Sequence, residues 1–383
     1  MANITKKGRQ KYQICIECGR NPQTGKRKRK YETFNGTKTE AKKRAAELEH
    51  EIKSNQFIED TEETVGSYLK EWLRNYKHNL APSTYESYDI IINSHLIPAL
   101  GQKKLSELGP QDIERYQAQK LSSGRKDGKQ GGLSTRTVQY HHRVLSKALK
   151  KAEKYNLIRE NPAKLVQAPT PNTPEINPLS KDEVNKLLDQ AEGFAHDLIY
   201  LGVKTGMRRG ELLALRWSDI DFENKKITVR QSMTKVTGEE LSFNKPKTKS
   251  SQRPIQIDDE IITMLKKRKA KQEEYKEKFG NKYDNQHKLV FRKNNGKPFL
   301  PQYATKMFNQ VAEAAELGEF RLHDLRHTHA TLMLKSEVHP KIVQERLGHS
   351  SITQTLDTYS HVIPSMQKEA VDKFNANFDF GLN

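Results

Sequence analysis

The sequence predicts an α+β multidomain fold: a small β-sheet with a helix, then a helical bundle, then a mainly helical segment with a small sheet of its own. Three observations predict it. The first 58 residues alternate like strands and then change to a helical period. From residue 65 to about residue 167 apolar positions recur every three or four residues. After a proline-dense stretch the helical spacing resumes, interrupted by the strand-like segments KKITVRQSM and PIQI. A chain of 383 residues suits two or three domains of roughly 100–200 residues each.

Residues 1–58 form the first unit. KYQICIEC and RKYETF read as strands, joined by a turn that carries Asn21, Pro22 and Gly25. Thr39 opens a helix whose Ala41, Ala45, Leu48 and Ile52 share one face. Residues 59–64, EDTEET, are acidic and read as a linker. Residues 65–167 supply four helices. The first places Val65, Tyr68, Leu69, Trp72 and Leu73 on one side, and the second, APSTYESYDIIINSHLIPAL, starts at Pro82, Ser83 and Thr84. SELGPQDIERYQAQKL and STRTVQYHHRVLSKALKKAEKYNLI follow, set apart by Gly109-Pro110 and by GRKDGKQGG. Residues 168–178, with Pro169, Pro171, Pro174 and Pro178, predict an extended, semi-rigid hinge. The last domain, residues 179–383, begins with Ser180 and Glu183 spaced as a capping box.

A net charge of +19 and a pI near 9.6 point to a polyanionic partner, of which nucleic acid is the obvious one. Solubility alone is the plain alternative. No apolar run of about 18 residues predicts a membrane helix, and MANITKKGRQ has no h-region of a secretory signal. The expected location is the cytoplasm. Cys15 and Cys18 form a lone C-x-x-C pair. Zinc needs four ligands and no second pair follows, so two reduced thiols in a small sheet are expected.

The densest chemistry lies in residues 321–361. Read as a helix, RLHDLRHTHAT sets His323 and Arg326 three apart on one face, with Leu325 and His327 turned elsewhere. Leu332, Leu334, Ile342, Val343 and Leu347 supply the face to bury. His349 follows Gly348, and Tyr359 falls in a polar segment where its hydroxyl is expected to stay exposed. Cationic donors converging beside a hydroxyl suit phosphoryl transfer, in which positioning and charge stabilisation do most of the catalysis.

That chemistry needs further cations. Arg208 sits at the first turn of a helix opened by Gly206, with Glu211, Leu212, Leu213 and Leu215 at helical spacing, and the positive end of a helix favours an anion. In the hairpin FNKPKTKSSQRPIQI, Lys247 and Lys249 lie two apart and face the same way on an extended segment, so either reaches a leaving oxygen. His323, His327, His329, His349 and His361 also raise the question of a metal, but no carboxylate completes an HExxH motif. No metal and no cofactor are expected.

TGMRRGELLALRW, PKTKSSQR, HDLRHTHAT, LGHSS and DTYSH resemble, in order and spacing, the signature boxes of the tyrosine recombinases, the lambda-integrase family. Within it the chain is similar to integrases of Gram-positive phages and integrative conjugative elements. The likeness covers residues 176–361 and extends more weakly to both preceding domains. It implies a site-specific recombinase that cleaves and rejoins DNA through a 3′-phosphotyrosine and a Holliday junction, without a nucleotide cofactor. Tyr359 would be the nucleophile, Arg208 and Arg326 would hold the nonbridging oxygens, His323 and His349 would hydrogen-bond the phosphate, and Lys247, or else Lys249, would protonate the leaving oxygen. Pro254 and Gln256 stand where the family more often has a small residue and a proline, which bears on the hairpin register.

The resemblance also assigns the domains. Residues 1–58 would be an arm-type DNA-binding domain whose Lys26, Arg27, Lys28, Arg29 and Lys30 contact phosphates and bases, its sheet lying in a major groove wide enough for a β-ribbon. Residues 65–167 would be the core-binding domain, with Lys77, Ser83, Thr84, Tyr85, Lys103, Arg136, Thr137 and His141 as backbone contacts. The implied partners are double-stranded DNA attachment sites, three further copies in a tetramer, an excision factor and a host DNA-bending protein. The tail after residue 362, with Val371, Phe374 and Phe378, would pack on a neighbouring protomer or in cis. Two other classes fit less well: a type IB topoisomerase, which the basic N-terminal unit disfavours, and a nonenzymatic DNA-binding regulator, which the full set of catalytic residue types disfavours.

Overall fold

The structure is a computed structural model that describes residues 2–20, 27–53, 62–171, 177–238, 240–244, 252–318, 320–359, 371 and 374. Two compact units divide the chain, Met1–Thr173 and Pro174–Asn383.

The first unit begins with an antiparallel sheet in the order β1 (Asn3–Gly8), β2 (Lys11–Arg20) and β3 (Arg27–Asn35). β2 and β3 match the two expected strands. β1 was not expected: it is mostly exposed, and an edge strand held by main-chain pairing carries little apolar signal. Helix α1 (Lys38–Lys53) starts ahead of Thr39, because Thr37 and Glu40 close a capping box. Ile14, Ile16, Ala45 and Leu48 form the core, flanked by Ile4 and Phe34. The Cys15 thiol is free.

The four helices of the next segment stand where periodicity placed them. They are α2 (Val65–Tyr76), α3 (Pro82–Ile91) continuing into the short α4 (Ile97–Leu100), α5 (Pro110–Ser122) and α6 (Thr135–Lys154). A single π-helical turn, Ile92–Leu96, joins α3 to α4 within what the sequence reads as one helix. Val65, Tyr68, Leu69, Trp72 and Leu73 are all buried. The end of the acidic linker is tied down, since the Leu105 amide donates to the Glu63 carbonyl (2.8 Å).

His141 corrects the expected DNA contacts. It is 1% exposed, its Nδ1 lies 2.8 Å from the Tyr116 hydroxyl, and its ring sits 4.7 Å from that of His95. It belongs to the bundle core and is not available to a phosphate. Lys103 ion-pairs with Asp112 (2.6 Å) at the start of α5. Lys77, Ser83 and Arg136 are exposed, and Thr84, Tyr85 and Thr137 are half-buried.

The second unit opens with α7 (Lys181–Asp189), α8 (Gly193–Thr205) and the five-residue α9 (Arg209–Leu213). Ser180 and Glu183 cap α7 reciprocally, as the spacing predicts. A sheet follows in the order β4 (Ile220–Asp221), β5 (Lys226–Val229), β8 (Arg253–Gln256), with β6 (Ser232–Thr234) and β7 (Ser242–Asn244) as a separate hairpin inserted between β5 and β8. KKITVRQSM therefore splits into two strands that serve two sheets. β5 pairs with β8 with Ile227 opposite Ile255 and Val229 opposite Arg253. Pro254, which has no N–H, occupies an exposed position of the edge strand β8. The long α10 (Asp259–Phe279), α11 (Pro301–Ala314), α12 (Asp324–Lys335), α13 (Pro340–Leu347) and α14 (Ile352–Tyr359) complete the unit. Leu198, Leu201, Leu213, Phe291, Phe308 and Leu325 are among its core residues. Ile342, expected to be buried with Val343 and Leu347, is 54% exposed.

Two substitutions separate capping from packing in this unit. Ser180→Ala should cost about 1 kcal/mol through the lost cap, whereas Leu213→Ala, at a fully buried position, should cost about 2–5 kcal/mol. Urea denaturation of the two variants against the parent chain measures both.

Candidate active site

Arg326 lies at the centre. It sits in the first turn of α12, is 3% exposed, and uses its guanidinium fork twice: Nη1 donates to the Gly206 carbonyl (2.9 Å) and Nη2 to the Leu347 carbonyl (2.7 Å). Those carbonyls end α8 and α13, where the helix dipoles place partial negative charge. Both helices turn off through a glycine in the left-handed region, Gly206 (φ +64°) and Gly348 (φ +69°). A Cβ on Gly206 would fall 2.6 Å from the His329 ring and 2.8 Å from a Leu347 methyl, so close packing as well as φ requires glycine there. Gly206 thus closes α8 and does not open α9.

Arg208 follows two residues later in extended backbone and caps the N-terminus of α9. Its amide donates to Glu211 Oε2 (3.0 Å) and its Nη1 to Oε1 (2.8 Å). The N-terminal position expected to favour an external anion is therefore filled by the chain's own carboxylate. Glu211 is shared: Arg253, 4% exposed, donates from Nη2 to Glu211 Oε2 (2.9 Å) and from Nε to the Arg346 carbonyl (2.5 Å). Burial alone would raise the Glu211 pKa, but the charges and hydrogen bonds of Arg253 and Arg208 hold it below the usual carboxylate range.

His323 is the N-cap of α12 and reaches the surface, while His327 stands one turn farther on. The two rings meet edge to face with centroids 5.3 Å apart. His327 is not turned away from the site as expected: its Nδ1 lies 2.9 Å from the Tyr359 hydroxyl. Tyr359 also departs from expectation, being 0% exposed and packed with Ala330, Leu334, Val343 and Leu347. His349 is buried, with Nδ1 2.8 Å from Thr355 Oγ1, and its carbonyl accepts from the Gln344 side chain (2.5 Å). His329 engages both ring nitrogens: Nδ1 is 2.7 Å from the Val203 carbonyl and Nε2 accepts from Arg346 Nε (3.1 Å).

The histidines are not the cations that the sequence suggests. Burial, with Arg326 and Arg208 behind it, pulls His349 down to about 3. Burial and the neighbouring His323 pull His327 down to about 4. Desolvation and the Arg326 charge lower His323 as well. In the free chain these imidazoles are neutral hydrogen-bonding groups among arginine cations. Burial raises the Tyr359 phenol to about 12, with Arg326 acting against it.

The structure thus gathers Arg208, His323, Arg326, His349 and Tyr359 into one unit. Lys247 and Lys249 lie outside the described residues, as does Lys26. Arg27, Lys28 and Lys30 are described only as backbone of β3, and Arg29 is exposed there, 3.5 Å from Glu17. Of the tail, Val371 and Phe374 are described, each 53% exposed, and Phe378 lies outside the described residues. Sequence reasoning gave Arg253 no role and read His327 as turned away from His323 and Arg326. Arg253 alternates with the buried Ile255, and a charge on an apolar strand face requires a partner. His327 lies four residues after His323, one helical turn, which was the available signal. Among the described residues no group of three or more His, Cys, Asp or Glu is placed to hold a metal ion, and no helix is long and apolar enough to cross a membrane.

A small sheet among helices, with two arginines, two histidines and a tyrosine gathered in order, defines a tyrosine-type site-specific recombinase. The chain belongs to the phage integrase family, which it matches over residues 177–366, and residues 64–121 match the family's N-terminal SAM-like domain. It is 29% identical to a tyrosine recombinase XerC-like protein of Caldanaerobacter subterraneus subsp. tengcongensis, over 98% of each chain. It is 26% identical to the ICEBs1 integrase of Bacillus subtilis, over 95% of this chain and 96% of that one. Among solved structures, the Tn1549 transposon integrase in complex with a circular intermediate DNA aligns with a TM-score of 0.66 at 22% identity, covering 80% of this chain and 99% of that one. The lambda integrase tetramer bound to a Holliday junction aligns with a TM-score of 0.55 at 18% identity, covering 92% and 96%. The chain is accordingly a mobile-element integrase that acts in DNA recombination.

The lowered histidines set a stability profile. His329, also lowered by burial to about 3, stays neutral in the folded chain, while an unfolded histidine titrates near pH 6.5. Below about pH 6.5 the unfolded state binds more protons, so stability falls as pH drops toward 4. Thermal unfolding between pH 7 and 4.5 should show this acid slope, and His329→Gln should make it shallower by removing one such group.

Proposed function

We propose that the chain cuts and rejoins double-stranded DNA attachment sites of its element, with Tyr359 as nucleophile. The observation that carries this is the delivery of the Tyr359 hydroxyl by α14 to the same turns of α12 that bear His323, Arg326 and His327. In this mechanism Tyr359 Oη attacks the scissile phosphorus while one of His323 and His349 takes its proton, a 3′-phosphotyrosyl bond forms, and the 5′-oxygen leaves. Arg208 and Arg326 draw negative charge from the nonbridging oxygens, for which a guanidinium fork is suited. His323 and His349 each donate a ring N–H to the phosphate. The hairpin lysine, Lys247 or else Lys249, delivers the proton to the leaving oxygen. Because the phosphotyrosine conserves bond energy, rejoining to another strand needs no nucleotide.

Exchange between two duplexes requires four such sites, hence a tetramer passing through a four-way junction. The domain roles follow the same proposal: residues 1–58 bind arm-type sites, residues 65–167 hold the core site with Lys77, Ser83, Tyr85 and Arg136, and residues 179–383 carry the chemistry. An excision factor and a host DNA-bending protein complete the assembly.

Covalent trapping tests the proposal. With a nicked suicide duplex from the element junction, the parent chain should form a protein–DNA adduct on the 3′ side, in EDTA as well as without it, and Tyr359→Phe should form none. Arg208→Ala should lower the cleavage rate by roughly 100- to 1,000-fold with DNA binding retained. Normal cleavage by Arg208→Ala would sink the assignment of the site, and an adduct with Tyr359→Phe would sink the nucleophile.

A further inference from the structure

The hydrogen bond between Tyr359 and His327 bears on how the nucleophile is held. Tyr359 is 0% exposed, and among the described residues its hydroxyl has one hydrogen-bond partner, His327 Nδ1, at 2.9 Å. A buried O–H that finds no acceptor costs about 1–3 kcal/mol, so the hydroxyl proton points at Nδ1. Nδ1 is then the acceptor, and the ring is the tautomer that carries its hydrogen on Nε2. Geometry and charge agree, because the imidazole is desolvated, follows the Arg326 cation directly in the chain, and shares an edge-to-face contact with His323. The phenol ring packs among Ala330, Leu334, Val343 and Leu347, and its polar end meets His327.

We propose that His327 is a positioning residue for the nucleophile: its Nδ1 accepts the Tyr359 hydroxyl proton in a hydrogen bond that fixes the phenol beside Arg326 and turns an oxygen lone pair toward the phosphate. His327 acts through Tyr359 and is assigned no contact with DNA. The inference rests on Tyr359 being the nucleophile, and it adds a residue to the arginines, histidines and lysine that act on the phosphate. Its chemical content is narrow. An acceptor of similar reach at position 327 should preserve the effect, and a ring without an acceptor should lose it.

The experiment is single-turnover cleavage of the nicked duplex by the full chain, with DNA affinity and thermal stability measured beside it, for His327→Phe, His327→Gln and Tyr359→Phe. A misplaced nucleophile costs on the order of 100-fold in rate, so His327→Phe should lose about that much in the rate constant at saturating DNA with affinity unchanged. His327→Gln, whose amide oxygen accepts, should recover at least part of the loss. Histidine-ring 15N spectra of the free chain supply a readout independent of activity and of whether the Phe variant folds: the His327 Nδ1 signal should be that of an unprotonated acceptor and should shift in Tyr359→Phe. Parental cleavage by His327→Phe overturns the proposal. So does equal loss in Phe and Gln, which makes the residue merely structural, and so does faster cleavage, which makes the bond a restraint on the resting enzyme. A protonated Nδ1 in the spectra overturns it as well. An adduct formed by Tyr359→Phe overturns instead the choice of nucleophile, and the two failures stay distinct.

Discussion

One buried guanidinium ties the site together. Arg326 bridges the Gly206 and Leu347 carbonyls, the ends of two helices that are remote in sequence. Arg208 leaves the chain two residues after the first of these anchor points, and His349 two residues after the second. Fixing the two carbonyls against one planar fork therefore fixes the backbone from which both neighbouring side chains depart. Burying a cation is costly unless it is paired or hydrogen-bonded, and here the partial negative charge of two helix C-termini offsets part of that cost. Lysine could not replace it, because a point charge on a flexible stem does not hold two fixed directions. The two glycines permit the approach, since each allows its helix to turn away at once and leave the terminal carbonyl free.

Around that anchor the charges are arranged in layers. Glu211 is inserted between Arg208 and Arg253 and keeps both guanidinium groups in place without neutralising Arg326. Arg253 in turn reaches the Arg346 carbonyl, so the sheet strand β8 is joined to α13 through the same network. Additional positive charge on His349 or His327 would meet existing cations in a desolvated space, so burial, with Arg326 and Arg208 beside His349 and with His323 and Arg326 beside His327, depresses both pKa values. The site thus holds its positive charge on groups that do not titrate near neutral pH and keeps its imidazoles as hydrogen-bonding partners. Tyr359 is subject to the opposing pair of influences, burial raising its pKa and Arg326 lowering it, so it remains a phenol in the free chain.

Much of the fold was legible in local pattern. The face of α2, the Ser180–Glu183 cap, and the pairing of β5 with β8 follow from spacing, because burial of one side of an element repeats with that element's own period. Elements with little apolar content were not legible. β1 is held by main-chain pairing to β2, and β6 splits off from a run that reads as one strand with β5. Partners were the other gap. His141 looks like any polar residue on a basic helix, yet the bundle places it against His95 and Tyr116. Tyr359 stands in a polar run, yet α14 packs it onto α12 and α13.

The sequence by itself determined the residue types and their order, and with them the family: arginine, arginine with histidine, glycine with histidine, then tyrosine, at spacings that independent packing does not produce. It also determined where α7 begins, since the Ser180–Glu183 cap is local. Only the tertiary structure decided which side chains meet and in which state of charge. That Arg326 is clamped by two helix ends, that the histidines are neutral, and that His327 receives the tyrosine hydroxyl all depend on desolvation and on neighbours brought from distant parts of the chain, and neither is a property of local sequence.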